Sequence, residues 1–201
     1  MGNGEQSLDY WMKDLERRRT FAKPEHTMRG FFFKGLLESF RKLGDEALVR
    51  SSLVACGQER FVDFFNYPVQ LLFPILSTAL PTLAESYEGT EGALRQLGRQ
   101  ASIDFVESAI GKAMLLLAQG RPNLMINSLP TAFRVAMNHV VGKMECMGST
   151  RGRLTIQGTF MPSPFHEGMV RQLLEMGRAR DIQVLLQATG DIDVVCDMSW
   201  V

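Results

Sequence analysis

The sequence predicts an α+β fold in which an N-terminal helical bundle packs on a C-terminal four-stranded antiparallel sheet. From about residue 32, apolar residues recur every three or four positions, which is the spacing of a helix face. After about residue 138 the period changes to two, the period of a strand with one buried face. Hydrophobic residues make up 45% and charged residues 22% of the 201 residues. These values are typical of globular chains and indicate neither disorder nor a membrane protein.

Residues 1–27 are predicted to form an amphipathic N-terminal arm, and residues 28–201 a single α+β domain. Apolar residues of the arm recur at helical spacing, and Pro24 closes the segment. The apolar stripe could dock on the body of the domain or on a partner protein. It consists of Leu8, Trp11, Met12 and Leu15.

The densest basic run, Arg17-Arg18-Arg19, lies in this arm. Because Asp14 and Glu16 stand beside it, we interpret the run as a solvated helix face. The 22 basic and 22 acidic residues of the chain are interspersed, so there is no broad positive field. No nucleic-acid partner is therefore expected.

The bundle is predicted to open with a helix over about residues 32–43 that ends at Gly44. Asp45 is placed to cap a second helix, which ends at Gly57. A third helix should start at Asn66 and Pro68 and be kinked by Pro74.

The longest helix is predicted over about residues 91–118, capped by Thr90 and with Gly111 allowing a close contact. A shorter helix should follow Pro122. The inward positions of the long helix are predicted to be Leu94, Leu97, Ala101, Phe105, Ser108 and Ala109.

The C-terminal part is predicted to run hairpin, helix, hairpin. The helix begins at Ser163 and Pro164 and ends at Gly177. Alternation in the hairpins fixes which residues face the helices, since a slip of one residue would reverse the face. The inward set is Val140, Met144, Cys146, Leu154, Ile156, Ile182, Val184, Leu186, Val194, Cys196 and Met198.

Catalytic and metal-binding motifs are not recognisable in the chain. The three histidines, His26, His139 and His166, sit in no hydrolase, metalloprotease or nucleotide-binding pattern. The three cysteines are widely spaced, which favours reduced thiols over a disulfide framework or a zinc site. We predict a protein that is not an enzyme and has no metal or cofactor.

A cytoplasmic location without a membrane span is also predicted. The N-terminus lacks the charged and apolar regions of a secretory signal. The most apolar stretch, residues 69–83, is too short to span a bilayer and contains Pro74 and Pro81.

Thirteen phenylalanines and twelve methionines give the chain a large apolar interior. Most of these side chains must form the core, but flexible methionines can also surround an adaptable pocket. If a site exists, it should lie between the first body helix, the long helix and the sheet. Its predicted lining is Phe32, Leu36, Phe40, Phe105, Met114 and Phe133.

Residues 28–200 resemble a family of uncharacterised proteins, a domain of unknown function of about 200 residues known mainly from myxobacteria. Individually the matching residues are weak signals, but together and in order they are specific. They are Arg29-Gly30, Gly35-Leu36-Leu37, Asn66-Tyr67-Pro68, Leu97-Gly98-Arg99, Phe105, Ile110-Gly111-Lys112, Leu129-Pro130 and Trp200.

More remotely, the order of helices and hairpins is similar to haem nitric-oxide-binding domains, 4-vinyl-reductase-type domains and subunits of the TRAPP complex. The haem branch implies an axial histidine on the helix before the sheet and a Tyr-x-Ser-x-Arg motif. Residues 127–134 contain no histidine, and no tyrosine follows Tyr87. His139 is the nearest candidate ligand but is predicted to start a strand, so haem is not expected.

The other two branches imply an apolar cavity for a small molecule, or pairing of helices with an acyl-binding channel. We therefore predict a non-catalytic regulatory or sensory domain that binds a small apolar ligand or a protein partner. The alternative is a structural or assembly module, such as a homodimer or scaffold subunit, with a filled core.

Overall fold

The computed structural model describes residues 6–201, except for the side chains at positions 109, 110, 114, 115 and 117. A helical N-terminal part precedes a C-terminal sheet, so the predicted α+β class is confirmed. The helices are α1 (Leu8–Arg19), α2 (Gly30–Leu43), α3 (Glu46–Ala55), α4 (Leu72–Ser86), α5 (Gly89–Glu107), α6 (Ala109–Ala118), α7 (Pro122–Asn127), α8 (Leu129–Ala136) and α9 (Ser163–Met176). The strands are β1 (Thr27–Arg29), β2 (Asn66–Pro68), β3 (Val141–Cys146), β4 (Arg151–Gln157), β5 (Gln183–Ala188) and β6 (Val194–Ser199).

Helix α1 docks on the domain, chiefly against α4. Ser7 caps it by accepting a hydrogen bond from the Tyr10 backbone N–H, and its apolar stripe buries Trp11 and Leu15. The interpretation of the basic run as a solvated face is wrong for Arg18. This side chain is 7% exposed, because Asp14 lies one turn earlier on the same inward face.

Helices α2 and α3 follow the prediction closely. Gly44 ends α2, and the side chain of Asp45 accepts a hydrogen bond from the Leu48 backbone N–H at 2.8 Å. Gly57, with φ at +66°, supplies the left-handed residue after α3.

The predicted helix start at Asn66 and Pro68 is wrong. These residues form β2, which pairs antiparallel with β1, and a 3₁₀ turn over Val69–Leu71 leads into α4. Pro74 then lies in the first turn of α4, where its missing N–H costs no hydrogen bond. None of the helices that the structure describes is long and apolar enough to cross a bilayer.

The long helix predicted over residues 91–118 is two helices, α5 and α6, that meet at Ser108. Ser108 is exposed rather than inward, and its hydroxyl accepts a hydrogen bond from the Gly111 backbone N–H at 3.1 Å. A Cβ at Gly111 would lie 1.9 Å from the Phe105 carbonyl, so this glycine permits the sharp junction. Thr90 is buried inside α5 instead of capping it.

Strands β3 to β6 form one antiparallel sheet in the order β3-β4-β6-β5. The predicted register is confirmed, because Val194 and Cys196 are 4% and 0% exposed while Asp193 and Asp197 are not buried. One inward position, Cys146, is exposed. It shares the helix-facing side with Met144, and its thiol contacts Asn127 at the end of α7, but it is the last residue of β3 and α7 covers it only in part.

Helix α9 packs closely on α5. A Cβ at Gly98 would lie 1.9 Å from the Phe165 carbonyl oxygen, and one at Gly168 would lie 1.9 Å from the Arg95 carbonyl oxygen. The Ser102 hydroxyl bridges the helices at 3.2 Å from the Met169 carbonyl. These small residues bring the two helix backbones into contact and fix α9 against the bundle.

The three thiols are expected to react at very different rates in the native protein. Burial raises the pKa of Cys196 to about 12 and also raises the pKa of Cys56, whereas Cys146 is exposed. Titration with a chromogenic disulfide reagent at pH 8 should show one fast thiol, which Cys146→Ser removes. A fast phase that persists in Cys146→Ser would contradict this assignment.

Candidate functional site

A cavity of about 300 Å³ lies between the helical part and the ends of the first hairpin. Its walls come from α2, α5, α8 and α9, from the link before β3 and from residues 159–161 after β4. Strands β3 to β6 contribute no residue to the lining, since residues next to the open ends of β3 and β4, and not the face of the sheet, close the cavity on this side. This volume is at the lower end of the range for pockets that bind small molecules.

The predicted lining residues fall into three groups. Phe32 and Leu36 of α2, Phe105 of α5 and Phe133 of α8 all line the cavity. Phe40 does not line it, because it is 0% exposed within the core one turn beyond Leu36. The side chain of the remaining residue, Met114, lies outside the part of the chain that the structure describes.

Two carboxylates, Asp63 and Asp104, lie among the mainly apolar lining residues. Each accepts a hydrogen bond from a lysine at 2.6 Å, Asp63 from Lys34 and Asp104 from Lys42. Phe64 also lines the cavity while 73% exposed, so we place the mouth beside it. The described lining residues include no lysine or arginine.

His166, in the first turn of α9, is the most deeply buried polar group of the lining. Its Nε2 lies 2.9 Å from Oγ1 of Thr159, and its Nδ1 has no hydrogen-bond partner. Burial, reinforced by the positive charge of Arg18, lowers the pKa of His166 to about 3. The ring is therefore neutral at physiological pH.

His139 lies in the bend between α8 and β3 rather than in the predicted strand. Its ring stacks on His26 at 5.2 Å and contacts Phe160 at 5.1 Å. Burial, together with the adjacent His26, lowers the pKa of His139 to about 4. The Nε2 of His139 also has no hydrogen-bond partner.

The segment over residues 159–161 is held in place by the N-terminal helix. Arg18 donates hydrogen bonds to the carbonyl oxygens of Thr159 and Met161, at 3.2 and 3.3 Å. It also donates from Nε to Asp14 at 2.5 Å. All three residues of the segment line the cavity, so α1 supports one of its walls.

Sequence reasoning left both histidines without a role and missed residues 159–161 entirely. The spacing of His166 within a helix gives no sign that it reaches a cavity. The burial of Arg18 had a signal in the sequence. Asp14 lies four residues earlier on an otherwise apolar stripe, and this spacing is typical of a buried ion pair within one helix.

Solved structures with the same fold include haem nitric-oxide-binding (H-NOX) proteins. An unliganded Fe(II) H-NOX protein from K. algicida is 13% identical, with a TM-score of 0.65, covering 87% of this chain and 97% of that chain. An H-NOX protein from S. oneidensis in the Fe(II)NO state is 12% identical, with a TM-score of 0.64, and covers 87% and 99%. An oxygen-binding H-NOX domain related to soluble guanylate cyclases is 11% identical, with a TM-score of 0.64, and covers 86% and 95%. At these identities the likeness shows the fold.

No curated protein matches the chain. Residues 22–201 match the family described as "Protein of unknown function (DUF2378)". The predicted resemblance to such a family, and to the haem nitric-oxide-binding fold, is confirmed, whereas a myxobacterial source stays a prediction. Since the match covers most of its length, the chain belongs to the DUF2378 family.

Proposed function

We propose that this protein is a non-catalytic sensory or regulatory domain that binds a small apolar molecule in the cavity between α2, α5, α8 and α9. The supporting observation is the cavity itself, with its mainly apolar walls and few polar groups. Such a composition is typical of small-molecule sites. The fold likeness to ligand-binding H-NOX proteins agrees with this proposal.

The lining does not fit haem, the cofactor that the haem-binding branch implies. His139 and His166 are neutral, as iron ligands must be, but the two propionates of haem also require cationic or hydrogen-bonding partners. Among the described lining residues the charged groups are Asp63 and Asp104, which disfavour further carboxylates. The nearby Lys34 and Lys42 are already paired with them.

The environments of His139, His166 and Cys196 do not favour catalysis. The lowered pKa values of His166 and His139, about 3 and about 4, make both rings weak bases, and the raised pKa of Cys196 keeps it as a thiol, so none of these groups is activated for catalysis. Among the described residues, no group of three or more His, Cys, Asp or Glu side chains could hold a metal ion.

Filling the cavity is expected to weaken ligand binding while the fold is retained. Gly35 lines the cavity, and a Cβ at this position meets no atom within 4 Å, so leucine can extend into the open space. We expect Gly35→Leu to weaken binding of the neutral fluorescent probe N-phenyl-1-naphthylamine by at least about tenfold, or 1.4 kcal/mol. Fluorescence titration measures the affinity.

Gly35→Ala is the matched control, because it gives a similar gain in helix propensity but leaves most of the cavity open. It should bind the probe as the unaltered protein does. A failure of the unaltered protein to bind any apolar probe would favour the assembly module with a filled core. A Soret band in the purified protein would show that the haem argument is wrong.

A further inference from the structure

Strand β5 is an open edge of the four-stranded sheet. It pairs with β6 on one side, and among the residues that the structure describes it has no strand neighbour on the other. Such an edge presents unpaired backbone N–H and C=O groups, which proteins usually protect with charged residues or proline. The opposite edge strand, β3, carries Lys143 and Glu145, whereas Gln183–Ala188 contains no charged residue and no proline. The β5 edge is therefore free to pair with another strand.

The hydrogen-bond pattern shows which backbone groups of β5 face the open side. The Thr189 N–H donates to the Asp193 carbonyl at 3.1 Å, and this pair continues the β5–β6 register beyond the strand. Hydrogen-bonded and non-hydrogen-bonded pairs alternate along an antiparallel ladder. Every second residue from Thr189, Leu185 included, therefore bonds to β6. The N–H and C=O groups of Val184 and Leu186 point away from β6, towards the open side.

The side chains of this edge follow the same order in both directions. Residues 183–187 read Gln-Val-Leu-Leu-Gln, so a two-fold axis through Leu185 pairs glutamine with glutamine and Val184 with Leu186. In this register the outward backbone groups of each Val184–Leu186 pair can exchange two hydrogen bonds. Leu185 then meets its copy in a non-hydrogen-bonded pair, where side chains lie closest. Leu185 is 71% exposed in the single chain, and this contact would cover it.

The charges at the two ends of β5 also fit antiparallel pairing of two copies. The segment before the strand has a net positive charge, from Arg178, Arg180 and Asp181. The turn after the strand carries Asp191 and Asp193, and although Arg17 pairs with Asp191, this end stays net negative. Pairing about the two-fold axis brings the positive end of one strand to the negative end of the other, which favours association.

We propose that β5 is the interface of a symmetric homodimer, in which the sheets of two copies join edge to edge into one continuous sheet. A second copy of this chain is the occupant because the order of side chains and the end charges are both self-complementary. Pairing of β5 with β3 of another copy would form open filaments, and Lys143 and Glu145 disfavour it. No residue of β5 lines the cavity, so the dimer does not depend on the proposed ligand.

Sedimentation velocity measures the association. An interface centred on two six-residue strands is small, so we expect a dissociation constant on the order of 10 µM. Leu185→Lys should raise this constant at least about tenfold, because like charges meet at the axis. Val141→Lys is the matched control, since Val141 is 62% exposed on the opposite edge strand, and it should dimerise as the unaltered protein does. A mixture of Leu185→Lys with Leu185→Glu should form a heterodimer.

Cross-linking in a Cys146→Ser background tests the register. Leu185→Cys should give a disulfide-linked dimer on mild oxidation, because the Cα atoms of a non-hydrogen-bonded pair lie about 4.5 Å apart, within the range that a disulfide spans. Gln183→Cys should cross-link only when mixed with Gln187→Cys. A monomer at all concentrations, equal weakening by Val141→Lys, or no association in the Leu185→Lys and Leu185→Glu mixture would overturn the inference. Filaments that grow with concentration would also overturn it, in favour of pairing between β5 and β3.

Discussion

Replacing Asp14 with alanine is expected to lower the free energy of unfolding by about 3–5 kcal/mol, because Arg18 would keep a buried charge without a carboxylate partner. Asp14 and Arg18 are 4% and 7% exposed, and their side chains meet at 2.5 Å. The remaining partners of Arg18, the carbonyls of Thr159 and Met161, satisfy hydrogen bonds but do not neutralise the charge. Urea denaturation measures the change.

Asp9→Ala is the matched control, since Asp9 and Lys13 form a pair at the same helical spacing with both side chains exposed. It should cost less than about 1 kcal/mol. The double variant Asp14→Leu with Arg18→Met should recover much of the lost stability, because it replaces both charges with apolar groups. Equal losses of unfolding free energy in Asp14→Ala and Asp9→Ala would show that the buried pair stabilises the fold no more than an exposed pair does.

This ion pair also positions Arg18 to link α1, which lies outside the residues that match the family, to a segment inside them. Helix α1 lies outside residues 22–201, which match the family, whereas the carbonyls that Arg18 holds belong to the wall of the cavity. Disruption of the pair should therefore change both the stability of the fold and the shape of the cavity. Probe titration of Asp14→Ala reports the second effect.

The sheet could be predicted from the sequence because the alternation of apolar and polar residues that defines each strand lies within the strand itself. Strict alternation fixes the face of each strand, and one buried face makes the register unambiguous. Val194 and Cys196 are buried as this pattern requires. Cys146 faces the helices as predicted but is exposed, because alternation gives the side of the sheet and not the extent of the helices that cover it.

The helix boundaries were less predictable where a distant segment decides them. Asn66 and Pro68 have the residue types of a helix start, but their backbone pairs with Thr27–Arg29, about forty residues earlier. Local propensity gives no sign of this pairing. The break at Ser108 has a local cause instead, because its hydroxyl accepts a hydrogen bond from the Gly111 backbone N–H and this cap interrupts a continuous apolar pattern.

The candidate site was predictable in its apolar part and not in its polar part. Phe32, Leu36, Phe105 and Phe133 line the cavity because apolar helix faces must converge on the interior. The polar contacts of the site, however, are the one between Thr159 and His166 and the hydrogen bonds from Arg18 to the carbonyls of residues 159 and 161. These contacts join residues far apart in the chain, and spacing does not encode them.

Replacing Gly168 with leucine is expected to destabilise the fold by about 3 kcal/mol or more, because the side chain would force α5 and α9 apart. Even a Cβ at Gly168 would lie 1.9 Å from the Arg95 carbonyl, and backbone cannot move aside as a flexible side chain can. Separation would also break the hydrogen bond from Ser102 to the Met169 carbonyl.

The sign of the stability change in Gly168→Ala tests whether position 168 needs glycine because α5 and α9 approach each other closely there. Gly168→Ala should destabilise the protein, although alanine has the higher helix propensity. At Gly35, where a Cβ meets no atom within 4 Å, the same change should stabilise it by up to about 1 kcal/mol. Because Phe165 and Met169 line the cavity from α9, Gly168→Ala should also weaken probe binding, which Gly35→Ala leaves intact. Stabilisation by Gly168→Ala in thermal unfolding would mean that α5 and α9 do not touch at this crossing.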